Sequence, residues 1–242
     1  MERLQKIIAM KGYCSRRKAE ELITKGKVKV NGELVTTMGY KASVNDFIEV
    51  EGNPLDEVED KVYYLLNKPR GVVTTSSDEK GRKTVVDLID TKKRIYPVGR
   101  LDYDTTGLII LTNDGELTNY LIHPKNKIEK VYVAKIKGII SKVELGRLCK
   151  GVTIDGYKTS KAKAKILKID KKKNTSVVEL IIHEGKNHQV KKMFEALNYE
   201  VLKLKRERIA YLTLRGIENS GDYRELSIKE VKKLYGEKNN QD

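Results

Sequence analysis

The stretch from Gly99 to Gly115, GRLDYDTTGLIILTNDG, constrains this chain more than any other. Asp102 and Asp104 form an acidic pair, Thr105-Thr106-Gly107 signals a turn, and Leu108 to Leu111 has the length and composition of a buried strand. Thr112-Asn113-Asp114-Gly115 closes that strand. A polar loop backed by a rigid buried element holds a side chain in a defined geometry, so Asp102 is the first candidate for chemistry. On local pattern alone, an aspartate beside Thr and Gly is more often a turn or cap residue.

The sequence around this strand predicts an α+β domain over residues 61–242. Strand-like segments recur at Val62 to Leu66, Val72 to Thr75, Ile95 to Val98, Lys130 to Ile136, Val152 to Thr159 around an Asp155-Gly156 turn, Ala162 to Ile169 and Val177 to Ile182. Helical patterns fall at Val85 to Ile89, Glu116 to Ile122, Lys142 to Leu148, His188 to Leu197 and Ile228 to Tyr235, and the tail from Gly236 is expected to fray. Hairpin signals outnumber helical crossovers, which predicts a mixed, mainly antiparallel sheet. In the segment after Gly185, Val190, Met193, Phe194 and Leu197 make an inward helical stripe, and Asn198 fits a left-handed cap. Lys191 and Lys192 beside that stripe, with Lys203, Lys205, Arg206 and Arg208, read as one cationic surface.

Residues 1–52 read as a separate helix-helix-hairpin module, followed by an acidic, turn-rich linker over 53–60. Leu4, Ile7 and Ile8 give one helical stripe, Ser15 caps a second helix that Gly26 ends, and Asn31-Gly32 marks a hairpin ahead of a strand at Phe47 to Val50. Nine Lys and Arg against three Glu in residues 1–31 suggest a positive face built from Arg3, Lys6, Arg16, Arg17, Lys18, Lys25 and Lys27. The whole chain carries a formal charge of +15, which favours a polyanionic partner, nucleic acid before membrane. No apolar run has the length of a membrane span and the N-terminus has no secretory h-region, so a cytoplasmic protein is expected. Cys14 and Cys149 read as reduced packing residues, and His123, His183 and His188 lack metal-ligand spacing, so no metal is expected.

The segment RLQKIIAMKGYCSRRKAEELITKGKVKVNGELV resembles the small RNA-binding module first described in a small-subunit ribosomal protein, which implies structured RNA but no reaction. Four further motifs, LLNKPRGVVTT, YPVGRLDYDTTGLIILTNDGELTNYLIHP, IEKVYVAKIKG and HEGKNHQVKKMFEALNYEVLKLKRERI, resemble in this order those of the rRNA pseudouridine synthases. The resemblance implies that family's fold and the isomerisation of uridine to pseudouridine on a flipped-out base, without cofactor or metal. It implies that Asp102 is the nucleophile, that Tyr132 stacks on the uracil or passes a proton, and that Lys191 orients the carboxylate and favours its charged form. Many members carry Arg where this chain has Lys191, which supplies charge without a bidentate fork.

By the same resemblance Arg100 fills the gap left by the flipped nucleotide or grips its phosphate. Asn67, Lys68, Arg70, His188 and Gln189 are further expected substrate contacts. Ala210 stands where many relatives have Gly, so the backbone there is expected to avoid positive φ or the loop to have shifted. The HQVKKMF and GNPL segments favour small-subunit (16S) rRNA as substrate, bare or in a pre-ribosomal particle, for a monomeric enzyme. The alternatives are the same reaction on large-subunit (23S) rRNA and a non-catalytic rRNA-binding assembly factor. A carboxylate-metal nuclease built on Asp102, Asp104 and Asp114 lacks a convincing third spacing.

Overall fold

Helical stripes and turn residues account for the first unit of the computed structural model, which describes residues 1–55 and 58–236. That unit comprises Met1–Val62 with Thr91–Arg94. Its elements are β1 (Glu2–Arg3), α1 (Leu4–Met10), α2 (Arg16–Thr24), β2 (Val28–Val30), β3 (Glu33–Leu34), β4 (Lys41–Ala42), β5 (Ile48–Val50) and β6 (Asn53–Pro54). The Ser15 hydroxyl accepts the Lys18 amide at 3.1 Å and so starts α2. Asn31 and Gly32, at φ 51° and 85°, turn β2 into β3 with the twist a two-residue hairpin needs. Leu4, Ile7, Ile8, Ala19 and Ile23 pack on Val28, Ile48 and Val50 as one core.

Two expectations for this unit need correction or limit. Asn53 pairs with Val50, so the first residues of the expected linker extend the module's sheet instead. Asp56 and Glu57, in the same linker, and the tail from residue 237 lie outside the described residues. The expected basic face is partly neutralised, since Lys6 pairs with Glu2 at 2.7 Å and Lys18 with Glu21 at 3.1 Å. Arg3, Arg16, Arg17, Lys25 and Lys27 are exposed.

The second unit, Tyr63–Asp90 with Ile95–Asp242, is built on a nine-stranded sheet. In chain order it contains β7 (Tyr63–Lys68), β8 (Tyr96–Pro97), β9 (Thr106–Thr112), α3 (Gly115–Ile122), β10 (Lys130–Lys137), α4 (Lys142–Lys150), β11 (Thr153–Ile154) and β12 (Tyr157–Lys158). It continues with β13 (Lys163–Asp170), β14 (Thr175–Ile182), α5 (Gln189–Glu195), β15 (Val201–Ile209), β16 (Leu212–Thr213), β17 (Tyr223–Glu225) and α6 (Ile228–Gly236). The main path runs β13-β14-β10-β15-β9-β7-β17, with β16 on β15 and β8 on β9, while β11 and β12 form a separate hairpin. All neighbours on the main path are antiparallel except β9 and β15. The fold is therefore α+β with a mixed, mainly antiparallel sheet.

The parallel junction of β9 and β15 needs Gly107. A Cβ there would lie 2.2 Å from the Arg206 carbonyl oxygen, and the φ of 104° is one that L side chains rarely adopt. Leu65, Leu108, Ile110, Leu117, Tyr120 and Leu234 pack together on the β7 and β9 side of this junction. On the other side the strands alternate: Tyr132, Ala134, Val178, Leu180, Leu204 and Arg206 are buried on one face, while Val133, Lys135, Val177, Glu179, Lys203 and Lys205 reach solvent on the other.

Several local expectations differ from the structure. Val72 to Thr75 forms no strand, only a single bridge between Val73 and Thr84: the Thr75 amide turns back to the Val73 carbonyl at 3.2 Å, so the extended pairing stops there. Val85 to Ile89 gives one tight turn, Val86–Leu88, too short for an α-helix. Ala210 adopts φ 49°, so this chain keeps the left-handed backbone and bears its strain on a Cβ.

Candidate active site

The loop carrying Asp102 is held in place from beneath by a lysine. Lys68, at the end of β7, has no solvent exposure, and its Nζ donates to the carbonyls of Pro69 at 3.0 Å, Asp102 at 3.1 Å and Thr105 at 2.9 Å. Burial pulls its pKa down to about 8, against the raising pull of Asp102 and Asp104. The Thr74 hydroxyl donates to the Leu101 carbonyl at 2.6 Å, and the Gly71 amide donates to that of Tyr103 at 2.8 Å. Tethered at 101, 102, 103 and 105, the loop presents the Asp102 carboxylate with little freedom.

Lys191, in the first turn of α5, reaches that carboxylate. Its Nζ lies 3.3 Å from Asp102 Oδ2 and 2.6 Å from Asp104 Oδ1. Burial opposes the ammonium charge, but the two carboxylates outweigh it and raise its pKa above the ordinary value. The same ammonium, bonded to Asp104, holds the Asp104 carboxyl below the usual carboxylate range. Asp104 therefore competes with Asp102 for this cation. His188, in a left-handed conformation at φ 53° just before α5, brings Nε2 to 3.9 Å from Asp102 Oδ1.

A cavity of about 270 Å³ opens beside Asp102, and Arg100, Tyr132, His188 and Arg206 are among the side chains lining it. Tyr132 points in from β10 and is 7% exposed; Arg100 is exposed at the rim. Arg206 is the residue that the sequence reading misassigned. It is 3% exposed rather than part of a surface, donates from Nε to the Leu108 carbonyl at 2.7 Å, and brings Nη1 to 3.4 Å from the Tyr132 hydroxyl. It thus ties β15 to β9 across the parallel junction and reaches the aromatic of the cavity. The period of two from Leu204 was the available signal, since it puts 206 on the buried face.

Three expected substrate contacts are committed elsewhere. Asn67 is buried, and its amide donates to the carbonyls of Ile217, Glu218 and Asn219 at 3.0, 3.0 and 3.1 Å. Lys68 spends its three protons on backbone, as above. Gln189 borders the cavity but donates to Glu184 at 2.7 Å and accepts the Lys186 amide at 3.0 Å, which fixes the loop leading into α5. Arg70 is exposed, and its charge also lowers the Asp104 pKa. Asp114 is buried at the start of α3, capping it and accepting the hydroxyls of Tyr63 and Tyr235 at 2.8 and 2.7 Å. Among the described residues no cluster of three or more His, Cys, Asp or Glu is arranged to hold a metal ion, and no helix is long and apolar enough to cross a membrane.

A tethered carboxylate, a cation shared with it and a buried phenol thus meet at one cavity. Comparison with known proteins makes the class specific. Residues 62–196 match the family model for RNA pseudouridylate synthase, and residues 2–48 match that for the S4 domain. The chain is 57% identical to ribosomal large subunit pseudouridine synthase B of Bacillus subtilis, covering 97% of this chain and 96% of that protein. It is 37% identical to the dual-specificity RNA pseudouridine synthase RluF of Escherichia coli, over 96% of this chain and 78% of the relative. A solved pseudouridylate synthase structure superposes with a TM-score of 0.70 at 34% identity, over 97% of this chain and all of that one.

The chain belongs to the RNA pseudouridylate synthase family, with an S4 domain at its N-terminus. The small-subunit branch expected from HQVKKMF and GNPL is not supported, because the 57% identical relative is named for the large subunit. Those short segments carried too little information to separate branches.

Proposed function

We propose that this enzyme isomerises uridine to pseudouridine in large-subunit ribosomal RNA, with Asp102 as the nucleophile. The observation that carries the reading is the Asp102–Lys191 pair at 3.3 Å beside a cavity lined by Tyr132. The reaction breaks the bond between N1 and the ribose carbon, turns the uracil, and joins C5 to the same carbon. N1 gains a proton and C5 loses one, so the product has the atoms of the substrate. A fixed carboxylate splits this substitution into two easier ones by bonding covalently in between. Lys191, 3.3 Å from its carboxylate, holds Asp102 in position, and Tyr132 faces the extruded base. Arg100, exposed at the rim and lining the cavity, occupies the gap left in the RNA, which offsets the few kcal/mol that extrusion costs.

The large subunit is favoured by the 57% identity to the Bacillus subtilis relative so named. The S4 domain supports structured RNA as the partner. Asp102→Asn tests the chemistry: single-turnover pseudouridine formation is expected to fall on the order of a thousandfold or more while RNA affinity is retained. Normal turnover in that variant removes Asp102 from the mechanism. A site-by-site pseudouridine map of both ribosomal subunits, from cells with and without the protein, tests the substrate, and a lost site in small-subunit RNA alone overturns the assignment.

A further inference from the structure

The face of the sheet turned away from Tyr132 is lined with cations that the chemistry does not use. Register across β13, β14, β10 and β15 puts Lys168 beside Val177, Val177 beside Lys135, and Lys135 directly opposite Lys203. Directly paired residues share a face, and neighbouring strands lie about 4.8 Å apart, so these three ammonium groups stand in one rank about 15 Å wide. Among the described residues none of the three has an ion-pair partner or a hydrogen bond. The next rank, Lys165, Glu179, Val133 and Lys205, holds one carboxylate of its own, with Lys165 3.8 Å from Glu179 and Lys205 2.8 Å from Glu207. Beyond it Arg208 and Lys163 both engage Glu129, at 2.8 and 3.2 Å.

Like charges placed directly across a ladder destabilise the sheet, so Lys135 opposite Lys203 works against the fold unless an anion lies over them. The face offers long flexible ammonium stems over the half-buried aliphatic side chains of Val133, Val177 and Ile181. Such a surface suits a linear polyanion held by many equivalent contacts, and it has nothing shaped for one particular acidic group.

We propose that this face binds the ribose-phosphate backbone of a substrate RNA segment lying away from the target nucleotide. The inference rests on the reading that RNA is the substrate, and it adds a further RNA contact on the opposite side of the sheet from Asp102. It gives the enzyme a way to prefer a long folded RNA over an isolated loop of the same sequence.

The test uses the full chain and two RNAs chosen from the modification map, a long fragment and the short stem-loop cut from it. In Lys135→Gln/Lys168→Gln/Lys203→Gln, affinity for the long fragment is expected to fall about tenfold or more, and the slope of log affinity against log salt to shrink by roughly 2–3. Affinity for the stem-loop and the single-turnover rate at saturating RNA stay unchanged. The corresponding triple arginine variant restores the affinity. Unchanged affinity and slope on the long RNA overturn the proposal and leave an acidic protein as the occupant of the face; equal losses on both RNAs overturn it as well. Wild-type pseudouridine formation on the long RNA is the control, and its absence defeats the proposed function whatever the binding data.

Discussion

The two faces of one half-sheet treat positive charge in opposite ways. On the face of Tyr132, Arg206 is buried with a carbonyl and a phenol as partners; nearby, Lys191 sits between two carboxylates and Lys68 is enclosed by three carbonyls. On the opposite face, Lys135 and Lys203 confront each other across the ladder, and among the described residues neither ammonium has a partner. A buried cation must be paired with well-placed acceptors or it costs more than it contributes, so partnered cations fix geometry. Exposed cations without acceptors fix nothing in the chain, and their energy is available to something outside it. Removing a cation is therefore expected to hurt the fold on one face and slightly help it on the other.

The largest effect is expected at Lys68. Lys68→Met removes the donor shared by the carbonyls of Pro69, Asp102 and Thr105; that of Asp102 keeps the Thr105 amide at 3.1 Å, while those of Pro69 and Thr105 lose the ammonium of a fully buried side chain. Each orphaned acceptor costs about 1–3 kcal/mol, and relief from burying a charge offsets part of the sum, so a net loss of about 3 kcal/mol is expected. For a domain of this size that is roughly a 6–12 °C drop in Tm, measurable by calorimetry on the full chain. A variant within one degree of wild type breaks the comparison at its strongest point.

A smaller effect follows from the titration of the same amine. The folded pKa of Lys68 is about 8, against 10.5 for a free lysine, because burial disfavours the charged form. Below pH 8 both folded and unfolded states carry the proton, and the burial cost is fully present. Between about 8 and 10.5 only the unfolded state holds it, so this group's contribution to stability becomes less unfavourable as pH rises. The neutral amine, however, has two protons for three carbonyls, and the Asp102 loop loses a tether. Single-turnover rate is thus expected to fall severalfold from pH 7.5 to 9.5 while this group adds no thermal destabilisation. Lys130, which burial also pulls down to about 8, donates to the carbonyls of Ile128 and His183 and borders the cavity. Repeating the profile in Lys130→Gln separates the two, and a limb that vanishes in that variant belongs to Lys130.

How much of this was legible in the sequence depended on how local the determining contacts were. The strand behind Asp102, the Asn31-Gly32 turn, the Ser15 cap and the alternation of β14 are set by neighbours in the chain, and periodicity reveals them. Proximity of Asp102, Tyr132 and Lys191 came from the order of motifs, since nothing local joins position 102 to 191. Asn67 and Lys68 defeated the reading because polar residues just after an apolar run look exposed. Their partners are carbonyls some 150 and 34–37 residues away for the first and for the longer bonds of the second. Arg206 is a different kind of miss. Alternation with Leu204 places it on the buried face, against its charge, so the strand divides the four cations at 203, 205, 206 and 208 between two faces.

The smallest effect tests the opposite side of the comparison. Lys203→Gln removes one of two like charges that stand directly across a ladder, in an exposed position with no acceptor to orphan among the described residues. Relief of that repulsion is expected to raise stability by a few tenths of a kcal/mol at low ionic strength. Added salt screens exposed charges, so the gain should shrink at high salt. Urea unfolding at two salt concentrations reads both the sign and its dependence on screening. A loss above about 1 kcal/mol would mean that Lys203 contributes to the fold, and the division between cations that build this sheet and cations that reach outward from it would no longer hold.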